Sequence, residues 1–150
     1  MRLEEAIKQN RQFVNELEKL AINILFTASW IDAGNIQRLK PFGISPQQYN
    51  VLRILRGSYP NAMMLGDITC RMIDKNSNAT RLVEKLKSKG LVKREVNEMN
   101  RRQVDIEITS AGMDLLAVID KDVDSWLESF SSLTNAEAEM VNIALDKLRK

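Results

Sequence analysis

Ser77, Asn78, Thr80, Arg81 and Lys85 share a stretch with Ala79, Leu82, Val83 and Leu86, which recur at helical spacing. If the apolar set is buried, the polar set projects from the opposite face. Its chemistry suits nucleic acid. An asparagine amide can pair with adenine and an arginine guanidinium with guanine, while serine or threonine hydroxyls reach bases or phosphates. A solvated helix face uses the same residue types, so this face alone does not choose between the two. A second candidate is Asn100–Arg101–Arg102. Two adjacent arginines on a short loop can enter a minor groove or clamp phosphates. They can equally keep an edge strand soluble.

The charge distribution favours the phosphate reading. Ten of the 22 Lys and Arg lie between Arg71 and Arg102, against four of the 20 Asp and Glu. That stretch therefore carries +6 and the rest of the chain −4, although the whole chain is only +2. A basic middle between acidic flanks is what a phosphate-binding face on a larger scaffold looks like.

Other chemistry is poorly provided for. The chain has no histidine, which removes the commonest general base, the commonest zinc ligand and any imidazole triad. Its single cysteine, Cys70, rules out an internal disulfide and any Cys-rich metal site. GxxxxGK, GxGxxG and GxSxG are all missing. No catalytic residue, metal ligand or cofactor is expected, and an enzyme has no supporting constellation. Cys70 reads as a small core residue on a short helix rather than a redox sensor, since no resolving cysteine exists. Phe26, Trp30, Met63, Met64 and Trp126 also read as core rather than as the lining of a ligand pocket.

The elements that must position the basic face follow from periodicity. Residues from Leu3 to Ile31 recur at spacings of three, four and seven, predicting one long amphipathic helix ending near Ala33–Gly34. Ser45, Pro46 and Gln48 form a capping box and N1 proline for a second helix. Gly66–Met72 predicts a short helix, Ile73–Lys75 a turn, and Asn76–Lys89 a third helix stopped by Gly90. Leu91–Asn97 and Val104–Ile108 alternate as a hairpin with a polar, basic tip. A helix from Ser110 to about Phe130 follows, and Thr134 caps a last one. The fold class is mostly α (α+β), a winged helix-turn-helix with N- and C-terminal helical dimerisation arms. Residues 1–34 and 111–150 form the dimerisation region and 45–110 the DNA-binding domain.

The run from Asn76 to Arg94, with Leu-x-x-Lys-Gly-Leu-Val at its end, resembles the recognition helix and first wing strand of the MarR family. Asn100 to Gly112 is similar to that family's wing signature, Asp-x-Arg, a strand, then Thr-x-x-Gly. The resemblance spans Ile44 to Leu116, and the helical arms agree in order and length. It implies intertwined terminal helices and two winged domains spaced for adjacent major grooves. It also makes Arg102 the wing arginine. Asn100 stands where the family usually has Asp, so the usual ion pair that fixes the wing is unavailable.

The function expected is a sequence-specific transcription regulator, a repressor, acting as a homodimer on a palindromic operator in double-stranded DNA. By resemblance alone, a small apolar or phenolic effector could alter its affinity. The alternative is a winged-helix protein-interaction module whose basic face meets an acidic partner. With no apolar run long enough to cross a bilayer and no signal-peptide pattern at Met1, a cytoplasmic location and no membrane partner are expected.

Overall fold

The computed structural model describes residues 1–149. The chain divides into two compact units, residues 1–49 and 50–150. It is mostly helical, with one two-stranded antiparallel sheet.

In the first unit the expected single helix is interrupted. A one-turn helix α1 (Leu3–Ala6) is followed by irregular chain, and α2 runs from Glu16 to Leu39. Polar residues from Lys8 to Gln12 offer nothing to bury, and Lys8 takes a left-handed φ of 52°. Asn15 then restarts the helix, its side-chain oxygen accepting from the Glu18 N–H at 2.9 Å. The Glu18 carboxylate returns to the Val14 N–H at 2.6 Å. The ion pair of Lys19 with Glu4 ties α1 to α2 and holds the Glu4 carboxyl below its ordinary pKa. Gly34 does not end α2. Ile36 and Leu39 continue its spacing, and the stop comes at Pro41 in a 3-10 turn, Lys40–Phe42, closed by Gly43 at φ 71°.

Helix α3 (Pro46–Ser58) opens as expected: Gln48 N–H donates to Ser45 Oγ and Ser45 N–H to Gln48 Oε1. From Asn50 onward the second unit builds its core. Val51, Leu52 and Leu55 of α3, Ile68 of α4 (Leu65–Arg71), and Val83 and Leu86 of α5 (Ala79–Ser88) are buried. So are Val92 of β1 (Val92–Val96), Ile106 and Ile108 of β2 (Val104–Ile108), and Leu116 and Ile119 of α6 (Ser110–Asp120). Each such side chain contributes about 1.5–3 kcal/mol of burial free energy.

The hairpin pairs Val92 with Ile108 through to Val96 with Val104. Met63 adds a single bridge to β2, exchanging both backbone hydrogen bonds with Ile106 at 2.9 Å. The wing is thus tied by its second strand to the segment entering α4. Thr109 closes the other end: its hydroxyl donates to the Gly90 carbonyl at 2.7 Å and accepts from the Gly112 N–H at 3.1 Å. At Gly112 an added Cβ would lie 2.4 Å from the Leu91 carbonyl oxygen. Thr-x-x-Gly is therefore a clasp that caps α6 and presses it against the base of the wing.

The expected helix from Ser110 to Phe130 is two helices. α6 ends at Asp120, and α7 (Val123–Glu128) starts after a break at Lys121–Asp122. Asp120 at the end of α6 pairs with Arg56 of α3, oxygen to nitrogen at 2.6 and 3.4 Å. The last helix, α8 (Asn135–Leu148), carries a capping box of Thr134 and Glu137. No helix among the described residues is long and apolar enough to cross a membrane.

Candidate nucleic-acid interface

Two corrections come first. α5 begins at Ala79 and not near Asn76, because Asn78 is its N-cap, accepting from the Arg81 N–H at 3.1 Å. Ahead of it the Asp74 carboxylate accepts from the Asn76 N–H, holding a turn where a helix was expected. Ser77 and Asn78 therefore precede the helix and do not project from its face. The Ser77 hydroxyl is buried and has no hydrogen-bond partner among the described residues. The Asn78 amide oxygen is committed to the cap. Cys70 is the second correction. It is exposed, not core, because Ile68 and Met72 take the buried side of α4 and its C-cap. Of the large side chains read as core, only Met63 is fully so; Trp126 is half-buried, and Phe26, Trp30 and Met64 are exposed.

The remaining candidates fall together. Ala79, Val83 and Leu86 bury one side of α5, and Thr80, Arg81 and Lys85 are exposed. At 3.6 residues per turn, Arg81 lies almost opposite that apolar side, with Lys85 one turn on. A cleft of about 260 Å³ lies beside them. It is lined by Met64, Leu65, Thr80 and Val83, and by Arg94, Arg102, Gln103 and Val104 of the hairpin. Thr80 of the helix and Arg102 of the wing thus share the walls of one cavity, while Arg101 is exposed outside it.

Six of the basic residues, on α5 and the hairpin, divide into two groups. Lys93 pairs with Glu107 across the hairpin at 3.0 Å, and Arg94 pairs with Glu84 of α5 at 2.7 Å. The hydrogen bond to Glu107, with its charge, raises the Lys93 pKa. Those two cations brace wing strand to partner strand and wing to helix. Arg81, Lys85, Arg101 and Arg102 have no ion pair among the described residues. An outward face with unneutralised cations on a rigid helix and an adjacent loop can hold a polyanion.

Sequence reasoning missed what fixes the wing tip. Asn97 Oδ1 accepts from the backbone N–H groups of Met99 and Asn100, both at 2.9 Å. Its Nδ2 donates to Asp105 Oδ2 at 2.7 Å, and Asp105 Oδ1 accepts from Gln103 Nε2 at 2.8 Å. Asn100 Oδ1 in turn accepts from the Arg102 N–H at 3.2 Å. The signal was Asn at the first position of a tight turn, which favours an Asx turn.

A helix-turn-helix followed by a two-stranded wing and clasped by a further helix defines a winged helix-turn-helix protein. The description of the MarR family matches residues 44–104. The HTH-type transcriptional regulator PapX of Escherichia coli is 30% identical over 108 residues, which are 71% of this chain and 66% of that protein. A MarR transcription factor from Planctomyces limnophilus superimposes with a TM-score of 0.69 at 29% identity, over 91% of this chain and 99% of that one. A mutant E. coli MarR complexed with operator DNA gives 0.81 at 21% identity, over 92% and 99%. The chain belongs to the MarR family of transcription regulators.

Proposed function

We propose that the chain is a homodimeric repressor that binds a palindromic operator in double-stranded DNA. α5 reads base edges in the major groove, and the wing sets Arg102 against the adjacent minor groove or its phosphates. One observation carries this reading: Thr80, Arg81 and Lys85 face outward on a helix whose other side is buried, with Arg102 on the same cleft as Thr80. Support comes from the E. coli relative, whose structure contains operator DNA. In this assignment residues 45–110 bind DNA, and 1–34 with 111–150 pair two copies. A small-molecule effector belongs to the same proposal through the family resemblance, as does a cytoplasmic location.

Selection of bound duplexes from a random DNA pool tests it. The expected result is an enriched palindrome, bound with an affinity that falls steeply as salt rises. Binding without enrichment, or no salt-dependent binding, would overturn it in favour of a protein-interaction module.

A further inference from the structure

We infer that Asn97 and Asp105 are positioning residues that hold Arg102 for DNA. The inference rests on the proposed wing contact and goes beyond it to the device that makes the contact rigid. A wing arginine acts only if its backbone is held still, because a long side chain on a mobile loop loses its conformational freedom on binding. Asn100 cannot make an ion pair, so the tip must be fixed by other groups.

The hydrogen bonds at the tip form one connected path. Two backbone N–H groups point at Asn97 Oδ1. Only an oxygen can receive them, so Nδ2 must face Asp105. The second Asp105 oxygen takes Gln103 Nε2. The Gln103 N–H donates to the Asn100 carbonyl at 2.9 Å, and the Asn97 N–H donates to the Gln103 carbonyl at 2.9 Å. Asn100 then accepts from the Arg102 N–H. Asn97 and Asp105 are both half-buried, one just beyond β1 and the other within β2. They anchor the loop to the strands on both sides, and Arg102 hangs from that loop. A single neutral amide against one carboxylate does the work.

The test is a double-mutant cycle on affinity for the duplex most enriched in the selection, with a thermal melt of each variant. Asn97→Ala should weaken binding about tenfold, by a factor within about threefold of that for Arg102→Ala. In the Arg102→Ala background, Asn97→Ala should cost less than about twofold more. Asn97→Asp sets a second carboxylate against Asp105 and should also weaken binding. Adding Asp105→Asn should restore it to within about twofold, because the exchanged pair can make every one of these hydrogen bonds, with donor and acceptor reversed only in the bond between positions 97 and 105. Two results overturn the inference while leaving the wing contact standing. One is wild-type affinity for Asn97→Ala alongside weak binding by Arg102→Ala. The other is an equal cost of Asn97→Ala with and without Arg102, which marks a general effect on the fold. Wild-type affinity for Arg102→Ala overturns the wing contact itself, and the inference with it.

Discussion

An added Cβ at Gly112 would meet the Leu91 carbonyl at 2.4 Å and Ile108 Cγ1 at 2.7 Å, whereas at Gly34, inside α2, it meets nothing within 4 Å. Opposite outcomes are expected from one substitution. Gly112→Ala should lower stability by roughly 1–3 kcal/mol through overpacking, and Gly34→Ala should raise it by roughly 0.5–1 kcal/mol through helix propensity and reduced unfolded-state freedom. Thermal melts of the two variants check both signs. Arg102→Ala should weaken operator binding and lower the salt dependence by about one unit of slope if one phosphate contact is lost, with little change in base preference. Arg101→Ala, outside the cleft, is the control; a salt series that reversed the two would place the wing contact one residue earlier. Arg81→Ala should cost roughly 1–3 kcal/mol on the best operator and blur one base position in each half-site. An equal loss on all sequences would mark Arg81 as a phosphate contact. These outward residues were legible because apolar spacing alone fixes the opposite face of a helix. Ser77 was not, because its exposure depends on where the helix starts, and Asp74 and Asn78 together delay that start by a turn.

Helix ends explain most of what the sequence concealed among the elements. Spacing kept its helical rhythm across Lys8–Gln12 and across Lys121–Asp122, so two breaks looked like continuous helix. Asn15 followed by Glu18 was the readable sign of a restart at the first. Where a cap was recognised in advance, at Ser45 and Thr134, the element began where expected. The Thr134 box has a measurable weight. Thr134→Ala should destabilise by about 1 kcal/mol, as cap removals do, with the loss seen in thermal melts. The box also titrates. The backbone and hydroxyl hydrogen bonds of Thr134 hold the Glu137 carboxyl below its ordinary pKa of 4.5. Its contribution is therefore complete above that value and lost as pH falls through the lower folded-state value. Below pH 4.5 the wild type should lose its advantage over Glu137→Gln, which cannot titrate. A difference between the two that stayed constant from pH 7 to pH 3 would contradict the role of the ionised carboxylate.

For the whole molecule, the apolar residues left uncovered matter most. Leu17 and Leu25 of α2 are 73% and 71% exposed, and Met140, Ile143 and Leu148 of α8 are at least half exposed. Apolar stripes of this kind on a single chain mark an interaction surface. Two copies joined through them would give two recognition helices related by a two-fold axis, which a palindrome requires. Leu25→Glu and Leu127→Glu should shift the sedimentation of the protein at micromolar concentration from dimer toward monomer, with the thermal transition of the winged domain largely retained. A wild-type chain that sediments as a monomer with and without operator would rule out the pairing. Such a surface was visible as stripes in the sequence, but stripes do not distinguish an internal core from a seam between copies.

The break at Lys121–Asp122 also gives the chain a joint between α6 and α7. The end of α6 is pinned to α3 by the Arg56–Asp120 pair, and α7 begins three residues later at Val123. Eleven residues of helix span about 16 Å, so a turn of about 10° at this joint sweeps the far end by about 3 Å. That is close to the 3.4 Å rise of one base-pair step. A chain hinged there should therefore accept operators whose half-sites sit one base pair nearer or farther with only a modest loss of affinity. A sharply peaked spacing profile would mean that the joint is locked by other contacts.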